Sequence, residues 1–361
     1  MRIFKLSTKL IAAVFLSVAI ISSCASKNKI VEKTTTAKEV KVQLSCVAFY
    51  NLENLFDTID NENVNDAEYL PNGPMKWGTM KYKAKLANMS YAISQIGLDQ
   101  SPAGVSFIGV SEIENRGVLE DLVKQPALKD RSMQIVHYDG PDRRGVDVAL
   151  LYNPRYFTVT NSKSYRLHSP DTTFRTRDQL MVSGYLQGEK VHVIVNHWPS
   201  RTGGEERSRP KRNEAAALTR SIVDSLYKMD PKAKIIVMGD LNDDPFNEST
   251  AVVLGAKKNK DEVKPGELYN VFWRTLEKGI GTLSYKDQWN LFDQIIISYE
   301  LANGPKDKLH LWKSDIFNRG FLTQQEGPYK GTPLRTHSGG VWLNGYSDHY
   351  PTMIYLVKEI E

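Results

Sequence analysis

The chain has 361 residues, of which 41% are hydrophobic and 25% charged, and only two of them are cysteines. This composition is typical of a globular protein with a large core, and it excludes a fold held together by a disulfide framework. The 47 Lys and Arg residues against 42 Asp and Glu give a net charge of +5, and setting aside Arg2, Lys5 and Lys9 leaves 44 against 42. Charge alone therefore does not indicate a polyanion-binding protein.

The N-terminus has the pattern of an export signal. Basic residues precede an apolar segment at 10–21, which is short for a transmembrane helix. The segment ends in Ile21-Ser22-Ser23-Cys24, which resembles a bacterial lipoprotein cleavage box. We therefore expect a signal peptide over 1–24, a lipidated Cys24, a flexible tether over 25–41 and a folded domain over 42–361.

An ordinary signal-peptidase site with an incidental cysteine is the alternative to lipidation at Cys24. Either interpretation puts the mature protein outside the cytoplasm. We expect a membrane-anchored lipoprotein of the bacterial envelope, on the periplasmic or the outer-membrane face. Cys46 is then the only unlipidated thiol.

Short β-type segments alternate with turns along the domain, and the pattern predicts eight strands, at 42–51, 105–111, 147–152, 180–186, 191–196, 234–239, 292–298 and 350–357. Several strands are apolar at successive positions, as expected when both faces of a sheet are covered. Amphipathic patterns predict helices over 80–96 and 212–227, the second with Pro210 near its first turn. We therefore expect an α/β fold in which helices enclose two packed sheets.

Two long loops interrupt this alternation, at 57–78 and 318–346. Loops of this length in a compact domain are usually binding loops or disordered. The second leads directly into Asp348 and His349. It is therefore expected to contact a substrate, with a plain solvated loop as the alternative.

Polar side chains stand at the ends of predicted strands. Asn51 closes the first strand and Glu112 follows the second, and both offer the oxygen ligands that a hard divalent cation prefers. His197 ends another strand, and Asp240 and Asn242 leave a buried one. Each also has a plainer interpretation, as a turn residue, a helix N-terminal acid or a structural histidine.

An aspartate and a histidine form a further candidate pair. Asp293 begins an apolar strand, where an acid requires a partner, and His349 is the available cation. A carboxylate fixes the tautomer of an imidazole and raises its basicity, although a structural pair without catalysis is the alternative. A phosphodiester resists attack until its charge is neutralised, so these residue types together predict a metal-assisted phosphoester hydrolase.

The ordered set of these residues resembles the endonuclease/exonuclease/phosphatase superfamily over 42–357. The resemblance implies a four-layer α/β sandwich of two packed mixed sheets flanked by helices, with the site between the sheet edges. It also implies a divalent metal, usually Mg²⁺ with Mn²⁺ or Ca²⁺ as alternatives, held by Asn51, Glu112 and Asp348.

The same resemblance implies roles for the remaining residues. Asp240 and Asn242 would orient the attacking water and the phosphate. His349, held by Asp293, would act as acid/base or stabilise the phosphorane charge, and His197 would bind a non-bridging oxygen or assist the leaving group. No covalent enzyme intermediate is implied.

The substrate is less closely defined. The context of His197 resembles pancreatic-type deoxyribonucleases, sphingomyelinases and inositol phosphatases rather than abasic-site endonucleases. Nine cations are expected near the mouth of the site, either along a nucleic-acid backbone or on a solvated loop: Arg143, Arg144, Arg201, Arg207, Arg209, Lys211, Arg212, Lys330 and Arg335. Of these we predict that Arg144, Arg201 and Arg335 bind substrate.

The leading hypothesis is an exported, monomeric nuclease or phosphodiesterase that acts on nucleic acid. A sphingomyelinase-type phospholipase, a nucleotide or inositol phosphatase and a catalytically silent binding lipoprotein are the alternatives. The sequence leaves open which of DNA, RNA, nucleotide or lipid is cut, the mode of cleavage and the number of metal ions.

Overall fold

The computed structural model describes residues 4–5 and 41–360. The predicted signal peptide, Cys24 and the tether over 25–41 lie outside the described residues, apart from 4–5 and 41. No helix within the described ranges is long and apolar enough to cross a membrane.

The secondary structure is dominated by strands. These are β1 (Phe4–Lys5), β2 (Lys41–Leu55), β3 (Val105–Ile113), β4 (Gln134–His137), β5 (Asp147–Tyr152), β6 (Phe157–Tyr165), β7 (Gln179–Leu186), β8 (Glu189–His197), β9 (Lys234–Asp240), β10 (Ala256–Lys257), β11 (Leu268–Asn270), β12 (Leu283–Tyr285), β13 (Gln288–Asn290), β14 (Asp293–Ser298), β15 (His310–Ile316), β16 (His337–Ser338), β17 (Val341–Trp342) and β18 (Thr352–Ile360). The helices are α1 (Thr79–Gln95), α2 (Arg116–Val123), α3 (Glu205–Met229), α4 (Trp273–Glu277) and α5 (Tyr299–Asn303).

The strands form two large mixed sheets and two small hairpins. The first sheet has the order β15-β18-β2-β3-β5-β4, with β1 paired to β2, and the second has the order β10-β11-β14-β9-β8-β7-β6. At the centre of the first sheet, β2 and β3 are parallel, and at the centre of the second, β8 and β9 are parallel. β12–β13 and β16–β17 are the hairpins.

The two sheets pack face to face and helices cover their outer faces. Gly109 of the first sheet lies so close to the second that a Cβ there would stand 2.6 Å from Sδ of Met238. α1 belongs to the same apolar cluster as β2 and β3, whereas α3 packs through residues such as Ile222 on the outer face of β8 and β9. The predicted four-layer α/β sandwich, with two mixed sheets flanked by helices, is confirmed.

All eight predicted strands are present, and the helix predicted over 80–96 is α1. The helix predicted over 212–227 begins earlier, at Glu205, so Pro210 lies inside the helix rather than near its first turn. β6 and β15 were not predicted, because they are edge strands whose side chains are largely polar and partly exposed. The predicted loops contain short helical turns (Ala67–Tyr69 and Gly320–Leu322), and the second also contains the β16–β17 hairpin.

Candidate active site

The sheet topology brings the polar strand ends to one place. Asn51 lies near the end of β2, His197 is the last residue of β8 and Asp240 is the last residue of β9. Asp293 pairs with Asp240 in the antiparallel register of β14 and β9, and His349 lies just before β18, which pairs with β2. Residues distant in the chain therefore meet at one edge of the sandwich.

Asp240 is at the centre of the cluster and is 2% exposed. Its Oδ2 accepts a hydrogen bond of 3.0 Å from Nδ2 of Asn51, and its Oδ1 accepts one of 2.9 Å from the backbone N–H of Asn242. Burial raises the pKa of Asp240 to about 7, and the nearby carboxylates of Asp293 and Glu112 act in the same direction. A carboxyl group with a pKa near neutrality is suited to accept and release protons in catalysis.

His349 and Asp293 form a buried hydrogen-bonded pair. Nδ1 of His349 lies 2.6 Å from Oδ2 of Asp293, and its Nε2 lies 4.0 Å from Oδ2 of Asp240. Burial by itself lowers the pKa of His349, but the carboxylates of Asp293 and Asp348 outweigh that effect and raise it well above the ordinary value. His349 is therefore an imidazolium at neutral pH, with Nε2–H directed towards the centre of the cluster.

His197 has the opposite electrostatic character. Its Nε2 lies 3.7 Å from Oε1 of Glu112 and 3.6 Å from Oδ2 of Asp240. Burial, followed by the positive charges of Arg177 and Arg144, lowers the pKa of His197 well below the ordinary value. The site therefore contains one charged and one neutral imidazole.

Glu112 is placed by an irregularity in β3. The register of β3 against β5 shifts between Ser111 and Ile113, and Glu112 has a φ of 58°. Its Oε2 accepts a hydrogen bond from the backbone N–H of Asn54, which leaves Oε1 facing His197. A β-bulge next to an active site commonly reorients one side chain in this way.

The donor set fits a hard divalent cation. Glu112, His197 and Asp240 offer ligand atoms within 4.8 Å of one another, and so do Asp240, Asp293 and His349. Burial is the main cause of the raised pKa of Asp240, and repulsion from Asp293 and Glu112 adds to it; a bound cation would offset both effects.

The other two predicted metal ligands are placed differently. The amide of Asn51 bridges Asp240 and the backbone N–H of Glu53. Asp348 lies beside His349, with Oδ1 3.9 Å from its Nε2, the ring nitrogen that also faces Asp240. Among the described residues, the ligand groups that contain Glu112 or Asp240 do not include Asp348.

Asn242 is held by its neighbours rather than left free. Its Nδ2 donates to the backbone O of Trp198, and its backbone O accepts from Nε of Arg201. The other guanidinium nitrogens of Arg201 contact Glu205, Asp243 and Asn247. Arg201 therefore braces the loop that carries Asn242, and its predicted role in binding substrate stays a prediction.

The other two predicted substrate-binding cations lie at the rim. Arg335 is 42% exposed and its Nη2 lies 3.2 Å from Oδ2 of Asp348. Arg144 is 48% exposed and its Nε lies 3.7 Å from Oδ1 of Asp142. Both have a charged partner and both retain exposed surface.

Sequence reasoning missed a buried arginine behind His197. Arg177 is 7% exposed and donates to the backbone O atoms of His197 and Trp198, while its Nη1 lies 3.1 Å from Oδ2 of Asp142. It fixes the end of β8 and contributes to the lowered pKa of His197. No local signal distinguishes it, since Arg175-Thr176-Arg177 has the composition of a solvated loop.

A buried lysine and glutamate were missed as well. Nζ of Lys85 donates to Oγ1 of Thr336 at 2.6 Å and to the backbone O of Tyr346 at 2.5 Å, and Glu53 accepts from the backbone N–H of Thr336. Burial lowers the pKa of Lys85 to about 8 and raises that of Glu53 to about 7, the latter with a further contribution from Asp348. These residues tie α1 and β2 to the long loop that precedes Asp348.

Several solved structures have folds similar to that of this chain. An endonuclease/exonuclease/phosphatase family protein from Bacteroides thetaiotaomicron has a TM-score of 0.53 at 16% identity, covering 89% of this chain and 98% of that one. The mannosyl-6-phosphatase Bt3783 of Bacteroides thetaiotaomicron has a TM-score of 0.51 at 16% identity, with 86% and 99% covered. A humanized D. rerio TDP2 with 14 mutations has a TM-score of 0.51 at 12% identity, with 87% and 98% covered.

At these identities the structural matches show the fold alone. No curated protein matches the chain. The family model described as Endonuclease/Exonuclease/phosphatase family matches residues 46–358, which is most of the sequence. The chain therefore belongs to the Endonuclease/Exonuclease/phosphatase family.

Proposed function

We propose that the protein is a divalent-cation-dependent phosphoester hydrolase in which Asp240 activates the attacking water. The observation that carries the proposal is the environment of Asp240, a buried carboxyl group with a pKa of about 7. Asn51 and the backbone of Asn242 hold it by hydrogen bonds, and an imidazolium lies 4.0 Å away. A purely structural aspartate would not require a charged histidine and a neutral one beside it.

The reaction is direct displacement by water. Asp240 accepts one proton as the water oxygen bonds to phosphorus, the bond from phosphorus to the leaving oxygen breaks, and that oxygen takes its proton from solvent. The imidazolium of His349, fixed by Asp293, donates Nε2–H to phosphate oxygens and stabilises the charge that develops on them. Neutral His197 is suited to donate a hydrogen bond to a non-bridging oxygen, because its Nε2 faces the same space.

Glu112 would hold the cation, together with Asn51 and Asp348 as predicted; His197 and Asp240 lie nearer to Glu112, but they are assigned to the phosphate and to the water. Bound there, the cation supplies positive charge that neutralises the phosphate, and Mg²⁺ is the ion we propose. The residues of the chain orient the water, hold the phosphate and move the proton.

Export and anchoring remain part of the proposal on the strength of the sequence. The apolar segment that ends at Cys24 supports a lipoprotein of the bacterial envelope, and we propose a monomer. Metabolic labelling of the expressed protein with a palmitate analogue tests the anchor. Label that is retained in Cys24→Ser would contradict lipidation at this residue.

Nucleic acid is the leading substrate predicted from the sequence, and nine cations are expected near the mouth of the site, either along a nucleic-acid backbone or on a solvated loop. Six of the nine have a side-chain nitrogen within 4.0 Å of a carboxylate oxygen: Arg144, Arg201, Arg209, Lys211, Arg212 and Arg335. Of these, Arg212 is fully buried against Asp243. Internal pairing leaves less positive charge for a phosphate backbone than the sequence suggests. These pairs favour a compact phosphate ester over a polynucleotide.

Two alternatives have less support. A sphingomyelinase-type phospholipase requires an apolar element that enters lipid, but the tip of the β12–β13 hairpin is Lys286-Asp287 and that of β16–β17 is Gly339-Gly340. A silent binding lipoprotein has no requirement for the buried pair of His349 and Asp293. Neither alternative is supported by a specific contact of the site.

The test is hydrolysis of p-nitrophenyl phosphate and bis(p-nitrophenyl) phosphate by the full-length protein with Mg²⁺. Asp240→Asn and His349→Gln should each reduce kcat by roughly a thousandfold, as expected for loss of an acid/base group. His310→Gln is the matched control, because His310 lies on the edge strand β15 and contacts only the backbone O of Lys308 among the hydrogen-bond partners described for it. Undiminished hydrolysis in both site variants would refute the assignment.

A further inference from the structure

A large cleft adjoins the catalytic cluster on the side of Asp348. Its volume is about 780 Å³, within the range of small-molecule sites. One wall is the tip of the β12–β13 hairpin, the other is the loop from Gln324 to Arg335, and Ser338, Val341 and Leu343 line its remaining side. Asp348 lines the cleft and also lies 3.9 Å from Nε2 of His349. The cleft therefore opens on the reacting centre.

Tyr350 fixes both walls relative to His349. Its backbone N–H donates to the O atom of Thr282 at the base of the hairpin, and its ring stacks against Trp289 of β13. Its hydroxyl lies 2.8 Å from Oγ1 of Thr323, which directly precedes the opposite wall, and 3.3 Å from the backbone O of Gly331, which lies in that wall. Because Tyr350 follows His349 directly, these contacts fix the positions of both cleft walls relative to the imidazole of His349.

The charges that line the cleft cancel. Three cations and three carboxylates contribute to its surface: Lys286, Lys330, Arg335, Asp287, Glu326 and Asp348. A strand of nucleic acid carries a negative charge at every phosphate. Proteins that bind such a strand usually do so in a groove lined by positive charges. An equal mixture of donors and acceptors is suited instead to a neutral group rich in hydroxyls.

Two aromatic rings complete the lining. Tyr285 on the hairpin is 64% exposed, and Tyr329 on the opposing loop is 62% exposed. Exposed tyrosines offer flat apolar faces with a polar tip, which pack against the C–H face of a sugar ring while carboxylates and lysines bind its hydroxyls. One aromatic ring therefore stands on each wall, with charged groups beside it.

We infer that this cleft binds the sugar ring of a compact phosphate monoester while the phosphate lies at Asp240 and His349. The inference rests on the proposed function, and it names the substrate class of the same site. A free sugar phosphate and the ribose of a mononucleotide share this chemistry.

The experiment compares kcat and KM of the full-length protein with Mg²⁺ on mannose 6-phosphate, glucose 6-phosphate, AMP, a single-stranded oligonucleotide and p-nitrophenyl phosphate. The variants are Tyr329→Ala and Asp287→Asn. Tyr185→Ala is the matched control, because Tyr185 is also an exposed tyrosine but lies on β7, away from the cleft. Faster turnover of hexose phosphates than of AMP identifies a free sugar phosphate, and the reverse identifies a nucleotide.

The inference predicts that both cleft variants raise KM for the preferred monoester about tenfold, whereas Tyr185→Ala leaves it within about twofold. It is overturned if they change KM no more than Tyr185→Ala does, or if the oligonucleotide has the highest kcat/KM. If the unmodified protein hydrolyses none of these substrates, the proposed function is refuted instead. Calorimetric titration with the sugar phosphates then tests whether the cleft binds the sugar. Binding that Tyr329→Ala abolishes supports the inference, and absence of binding to the unmodified protein overturns it.

Discussion

Replacing Asp293 by asparagine isolates the electrostatic contribution of the pair with His349. Asp293 is fully buried, its Oδ2 lies 2.6 Å from Nδ1 of His349, and its Oδ1 has no hydrogen-bond partner among the described residues. Asparagine has nearly the same shape but lacks the charge, so Asp293→Asn removes the charge-assisted hydrogen bond without creating a cavity.

A hydrogen bond to a charged group contributes about 1.5–3 kcal/mol, which corresponds to about a 10- to 150-fold loss of kcat. The sign of the pH effect follows from the direction of the shift. Because carboxylates raise the pKa of His349, the imidazolium persists at neutral pH and is lost as pH rises through the raised pKa. Without the charge of Asp293 that loss occurs at lower pH.

The assay is the pH dependence of kcat for p-nitrophenyl phosphate in the unmodified protein and in Asp293→Asn. We expect a lower plateau and an alkaline limb displaced towards lower pH in the variant. A lower plateau with an unmoved limb would mean that Asp293 is merely structural. Unchanged kcat and an unmoved limb would refute the assigned role of the pair.

Three other substitutions test separate parts of the structure. Glu112→Gln should shift a Mg²⁺ titration of activity to higher concentration by about tenfold or more, and an unchanged titration would remove Glu112 from the ligand set. Lys85→Met should lower the free energy of unfolding by about 3 kcal/mol in urea denaturation, because it breaks two hydrogen bonds and leaves a buried carboxylate without its cation. Lys124→Met, at a 69% exposed site, is its control and should change that energy by less than about 0.5 kcal/mol. Arg201→Met should reduce kcat about tenfold with little change in KM, because it loosens the loop of Asn242, and a change confined to KM would indicate substrate binding instead.

The sequence predicted the parts of the fold that depend on local patterns. The apolar segments at 234–239 and 292–298 correspond to central strands, because strands covered on both faces contain few polar residues. β6 and β15 escaped prediction because edge strands need only one apolar face and carry polar side chains on the other.

Prediction of the site was limited in a different way. The clustering of the strand-end residues was predictable, because the topology brings strand ends to one edge of the sandwich. The orientation of the Glu112 side chain was not, because it depends on a bulge that no local sequence pattern reveals. Lys85 had a signal that was overlooked, since it lies four residues before Met89 on the apolar stripe of α1. Arg177 and the pairing of the nine cations depend on contacts between distant segments, so only the three-dimensional structure identifies them.

The central claim is that a cation and this cluster together hydrolyse phosphate esters. The most direct measurement is p-nitrophenol release from p-nitrophenyl phosphate by the full-length protein, first in excess chelator and then after stepwise addition of Mg²⁺. We predict that chelation reduces the rate to that of Asp240→Asn and that Mg²⁺ restores it in the unmodified protein only. Hydrolysis that continues undiminished in chelator, or that Mg²⁺ restores equally in Asp240→Asn, would contradict the claim.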